Sequence, residues 1–201
     1  MKYLILLLVA TFTVTATADT TSVWKDKRVL VVGDSLIGVG SGLGIYLEEA
    51  FYSANAELII KSKTGARPST FSRNKKMAKL ITEHRPDVVI IVLGMNTLRS
   101  PAAVVRESVK RLLEQVDTEE CFWIGPPPLI EGSGWLIKRY PAYVAPQCKY
   151  FNTAKKMTFP PKSVSGFHVK RGKGRRWGRQ FTAWAGKEMQ ADLHEEEGGN
   201  E

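Results

Sequence analysis

Histidine and cysteine are scarce in this chain: 201 residues contain three of the first and two of the second. A zinc site needs more such ligands, closely spaced, and none of the spacings supplies them. No metal or cofactor is called for. Acidic residues are also short, at 20 against 29 lysines and arginines, for a formal charge of +9. Beyond the first twenty residues no apolar run is long enough to span a bilayer, which takes about 18–20 residues. There is no internal repeat and no composition shift that would mark a second domain. What is left fits one domain with a sizeable core.

The first residues are of another kind. "MKYLILLLVATFTVTATADT" has Lys2, an apolar run from Tyr3 to Val14, and then small residues. Ala16-Thr17-Ala18 fits a small-x-small cleavage site, so residues 1–18 read as a secretory signal peptide. Removal of Lys2 leaves +8, because no acid precedes Asp19. The mature domain then runs over 19–193, and the polar 194–201 reads as a disordered acidic tail. The destination is the periplasm or the outside. A basic exported protein meets anionic envelope surfaces and glycans, and export argues against nucleic acid as partner. In an oxidising compartment Cys121 and Cys148 suggest one disulfide, with a reduced pair in the core as the alternative.

Short β-branched runs alternate with helical patterns. "RVLVVG" (Arg28–Gly33), "AELIIKS" (Ala56–Ser62), "DVVIIVLG" (Asp87–Gly94), "CFWIG" (Cys121–Gly125) and the weaker "KYFNT" (Lys149–Thr153) read as strands. Helices are expected over Gly42–Ala54, Arg73–His84, Ser100–Val116 (Ser100 as N-cap, Pro101 in the first turn) and Gly172–His194. In the last, Trp177, Phe181, Trp184 and Ala185 share a stripe and read as core. The alternation predicts an α/β class protein: a three-layer α/β/α sandwich on a mostly parallel, about five-stranded, flavodoxin-like sheet.

In such sheets, sites form beyond the carboxyl ends of the strands. "VVGDSLIG" (Val31–Gly38) ends the first strand on Gly33, Asp34 and Ser35. Thr64, Gly65, Ala66 and Arg67 follow the second strand, and Gly94, Met95 and Asn96 follow the third. His168 precedes the last helix. Each has a part in acyl transfer. Ser35 is the nucleophile, but a hydroxyl is weak until a base takes its proton. His168 is that base, since imidazole titrates near neutral pH. The amides of Ser35 and Gly65 and the side chain of Asn96 are the candidate oxyanion hole. A side chain at Gly65 is expected to block a close backbone approach. Asp34 is expected to support the turn by hydrogen bonds.

These four residues, Ser35, Gly65, Asn96 and His168, resemble the defining set of the SGNH hydrolases, also called the GDSL family. "GDSL" is intact at Gly33–Leu36. "LGMNT" (Leu93–Thr97) resembles the family's GxND block, with Thr97 where Asp is common. "SGFHVKRGKGRRWG" (Ser165–Gly178) resembles its final block. The similarity runs from about Arg28 to Ala185 and implies a serine esterase without metal or cofactor.

One position departs. The family has Asp three residues before the histidine, and here that residue is Ser165. Losing such a carboxylate costs about 10⁴ in turnover in a serine protease. Three readings stay open: a Ser35–His168 dyad whose ring is oriented by Ser165 or a backbone carbonyl; a substitute carboxylate, with Glu131 the candidate; or a weakened enzyme or binding relative. Arg67 is either solvated or a clamp for an anionic substrate group. Trp135 either stacks on a sugar ring or sits in the core. The basic "KRGKGRRWGR" (Lys170–Arg179) is a solvated helix face or attracts an anionic glycan. The expected activity is hydrolysis of a small acyl ester, acetyl by analogy, on a carbohydrate or cell-envelope glycan. The rival is an inactive glycan-binding module.

Overall fold

A computed structural model describes residues 22–129, 131, 134–145, 147–159, 164–165 and 168–198. Strands β1 (Arg28–Gly33), β2 (Glu57–Ser62), β3 (Val88–Val92), β4 (Glu120–Ile124) and β5 (Lys149–Phe151) form one sheet in the order β2-β1-β3-β4-β5. Every neighbouring pair is parallel. This is the doubly wound order with a switch point beside β1, the expected flavodoxin-like arrangement. Gly33 is level with Ser62 on one side and Val92 on the other. The segments leaving β1, β2 and β3 therefore emerge together at one rim.

The connections carry α1 (Gly42–Ser53), α2 (Pro68–Ser72), α3 (Lys76–His84), α4 (Ala102–Leu113), α5 (Gly134–Ile137), α6 (Tyr140–Val144) and α7 (Thr153–Lys156). A two-residue hairpin pair, β6 (Val164–Ser165) and β7 (His168–Val169), precedes α8 (Arg171–Gly198). The sheet is covered on both faces. On β4, Phe122 packs edge-on against Phe181 and Trp184 of α8, while its neighbour Trp123 packs against Tyr140 of α6. Successive strand residues point to opposite sides, so one dipeptide reports both helical layers. All five residues of β3 are buried, which explains its unbroken apolar run.

Helix α8 lies against α1, and glycine makes this possible. A Cβ at Gly174 would sit 2.7 Å from the Gly42 backbone, and one at Gly178 would sit 2.4 Å from the Tyr46 ring. One side of the basic run is therefore a packing surface. Trp177, Phe181 and Ala185 are fully buried, as expected of a core stripe, and Trp184 is partly buried against them. Arg175 pairs with Glu49 on α1.

Cys121 and Cys148 are bridged and buried. The bond ties the start of β4 to the residue before β5, a three-residue edge strand with little ladder of its own.

Some boundaries differ from expectation. The helix expected over Ser100–Val116 is shorter, at Ala102–Leu113. Ser100 is not its cap: the Ser100 N–H turns back to Thr97 O at 2.8 Å, and Pro101 takes the N-cap position with an extended ψ of 139°. Helix α8 runs to Gly198, through residues 194–198 whose composition suggests a disordered tail. The signal-peptide segment, residues 1–18, lies outside the described residues. Among the described residues no helix is long and apolar enough to cross a membrane.

Candidate active site

Ser35 sits in the turn that follows β1. Asp34 N–H donates to Val92 O on β3 at 3.2 Å, which holds the chain at the rim. Leu36 N–H donates to Asp34 Oδ1 at 2.9 Å, and Ile37 N–H to Asp34 O at 3.3 Å. An Asx-type turn thus presents Ser35 outward, the support expected of Asp34. His168 arrives from the opposite end of the chain on β7. Its Nε2 lies 3.0 Å from Ser35 Oγ across 133 residues of sequence. With the imidazole proton on Nδ1, the serine hydroxyl donates to Nε2, the geometry a general base requires. His168 is exposed, so the pair is open to substrate.

Asp34 is fully buried. Its Oδ2 accepts from Asn96 Nδ2 at 2.9 Å, and the other Nδ2 hydrogen goes to Ala66 O at 3.1 Å. Asn96 thus ties the β1, β2 and β3 exits together. Its carboxylate partner is perturbed: burial pushes the Asp34 carboxyl up from 3.8 to about 6, against the opposing pull of the Leu36 and Asn96 hydrogen bonds. Both Asn96 donors are occupied here, so service as an oxyanion donor requires the bond to Ala66 O to be exchanged. The backbone donors need no such exchange. Among the described residues neither the Ser35 amide nor the Gly65 amide has an acceptor.

Gly65 has φ +71°, which favours glycine on backbone grounds. The expected crowding is not its reason, since a Cβ there meets no protein atom within 4 Å. Thr97, where the family pattern has Asp, is buried and fully bonded. Its Oγ donates to Gly94 O at 2.7 Å and accepts from Tyr140 Oη at 2.7 Å. The phenol is buried beneath the site, and its desolvation holds its pKa well above the ordinary value.

The orienting group for His168 is not a carboxylate among the described residues, where Nδ1 has no partner. Ser165 pairs with His168 in the hairpin register. Glu131 is exposed, and no hydrogen bond or ion pair joins it to His168. Trp135 is not a core residue: it is 45% exposed, and Arg139 covers its ring at 5.3 Å. It lines no cavity at Ser35. Arg67 is exposed at the rim beside Asn96.

A cavity of about 550 Å³ opens beside the serine and histidine. Leu43, Ser62, Thr64, Val169, Trp177 and the loop Gly38–Gly42 line it. Sequence reading placed Thr64 at the rim without a role, and missed Trp177 and this glycine loop as walls of the site. Only the packing of α8 on α1 brings Trp177 there, and no local pattern announces it. Among the described residues no cluster of three His, Cys, Asp or Glu side chains could hold a metal.

The order of the parallel sheet and its helical layers give the chain the fold of solved SGNH, or GDSL, hydrolases. TesA matches with a TM-score of 0.65 at 17% identity, over 80% of this chain and 97% of that one. A family 3 carbohydrate esterase from Clostridium thermocellum matches at 0.66 and 14%, over 82% and 98%. An acetylxylan esterase from Geobacillus stearothermophilus matches at 0.60 and 13%, over 82% and 96%. By sequence, the chain belongs to the family described as "Protein of unknown function (DUF459)", whose model matches residues 28–133. No curated protein matches it in sequence.

Proposed function

We propose that this protein is an exported serine esterase that hydrolyses a small acyl ester, acetyl in the first instance, on a carbohydrate or cell-envelope glycan. The observation that carries this reading is the 3.0 Å contact between Ser35 Oγ and His168 Nε2. Support for the substrate class comes from structural neighbours that include carbohydrate and acetylxylan esterases. The Cys121–Cys148 disulfide and the basic charge suit an oxidising compartment facing anionic polymers.

In this reading His168 Nε2 accepts the hydroxyl proton as Ser35 Oγ bonds to the carbonyl carbon. The carbonyl oxygen becomes an anion and is met by the amides of Ser35 and Gly65 and, once it leaves Ala66 O, by the Asn96 amide. Collapse expels the alcohol, which takes the proton from His168. Water then repeats the sequence on the acyl-serine and releases the acid. The pair acts as a dyad, with the β6–β7 hairpin fixing the ring in place of a carboxylate. This predicts slower turnover than a full triad gives.

Purified protein should hydrolyse p-nitrophenyl acetate, and Ser35→Ala and His168→Ala should each lower kcat by about 10³-fold or more. A fluorophosphonate should label Ser35. Equal rates for all three proteins would remove the enzyme reading for that ester. Ser165 in place of a carboxylate favours a second reading, a glycan-binding module without turnover. It predicts glycan binding that survives Ser35→Ala and no fluorophosphonate adduct in the unaltered protein.

A further inference from the structure

A separate hollow of about 440 Å³ lies beside Asn96. Arg67, Asn96, Leu98, Arg99 and Ser100 line it, and among the described residues no acidic side chain does. Its two arginines come from different connections, one after β2 and one after β3. Both are held at the backbone. Arg67 N–H donates to Thr70 Oγ1 at 3.0 Å, and the preceding carbonyl, Ala66 O, accepts from Asn96. Arg99 lies between Thr97, whose side chain is doubly bonded, and Ser100, whose N–H returns to Thr97 O. Two exposed arginines held on a fixed frame therefore line one hollow.

Neither guanidinium has an ion-pair or hydrogen-bond partner among the described residues. Arg28, Arg111 and Arg175 each pair with a glutamate. The hollow also receives the start of α4, whose first turn holds no acid to offset its positive end. Two arginines and a helix start line an opening that adjoins a candidate oxyanion donor, and among the described residues no acidic side chain lines it.

We propose that Arg67 and Arg99 form an anion subsite that recognises a carboxylate or phosphate carried by the substrate, a specificity that rests on the esterase reading above. Planar guanidinium forks suit either group through paired N–H donors. The preferred ester is then one on an acidic polymer rather than on a neutral one. Ser35 attacks the ester while the hollow beyond Asn96 holds the charged substituent.

The test uses ligands that cannot be turned over, so that binding and catalysis are read separately. Acetanilide, 3- and 4-acetamidobenzoate and 4-acetamidophenyl phosphate are titrated into the full protein at low ionic strength, with NMR as readout. The best charged ligand should bind about tenfold more tightly than acetanilide. In Arg67→Gln and Arg99→Gln this preference should fall several-fold, and in the double variant it should be nearly lost. Lys63→Ala, which removes a charge between Ser62 and Thr64 of the 550 Å³ cavity instead, should keep it. Both arginines are exposed, and the single variants serve if the double variant folds poorly. The carboxylate and phosphate arms say which group the hollow prefers. Equal binding of charged and neutral ligands, a preference that survives both arginine replacements, or an equal loss in Lys63→Ala would each overturn the subsite. A charge preference without hydrolysis of phenyl acetate would support the subsite and fail the esterase reading.

Discussion

Asp34 carries the most informative perturbation in the molecule. It is a fully buried carboxyl beside the nucleophile, lifted from 3.8 to about 6 by desolvation. Between those values the folded protein holds a proton that the unfolded chain releases. Stability contributed by this group is therefore full below about pH 4, falls as pH rises through the window to 6, and is gone above it. The interval corresponds to about 3 kcal/mol. In Asp34→Asn the position no longer titrates. The substitution has its own pH-independent cost, because an amide hydrogen now faces Asn96 Nδ2 where Oδ2 accepted. Urea unfolding at steps between pH 4 and 7.5 separates the two effects. The unaltered protein should lose about 2.5 kcal/mol relative to Asp34→Asn across that range, the rest having been lost already at pH 4. Other carboxylates titrate in both proteins and cancel in the difference. A constant difference from pH 4 to 7.5, or one that moves in favour of the unaltered protein as pH rises, would refute the reasoning.

Asn96→Ala should lower kcat on p-nitrophenyl acetate by about 10²-fold, through a lost oxyanion donor and a released Asp34, while KM changes little. Tyr140→Phe removes the donor to Thr97 Oγ and should cost about 1–2 kcal/mol in urea unfolding. Reduction of the Cys121–Cys148 bond, or a double serine variant, should cost about 3–4 kcal/mol on chain entropy for a separation of 27 residues. That loss is read as a shift of the urea midpoint.

The layered fold was legible in the chain because burial on two faces demands unbroken apolar runs, and Val88–Val92 and Val29–Val32 have them. Short alternating links then leave few topologies. Ser35, Gly65, Asn96 and His168 were legible as candidates because a parallel sheet collects the residues that follow its strands. The sequence by itself could not bring His168 to Ser35, since their contact closes a separation of 133 residues through a hairpin and the docking of α8 on α1. Nor could it say why Gly174 and Gly178 stand in the basic run, which the approach of the first to Gly42 and of the second to Tyr46 explains. Asp34 looked like a turn residue, and its raised pKa comes from three strand exits closing over it. Arg99 carried no local signal at all. Periodicity records which way each residue faces within its own element. Which elements meet, and which charges are left without a partner when they do, is set by packing between distant parts of the chain.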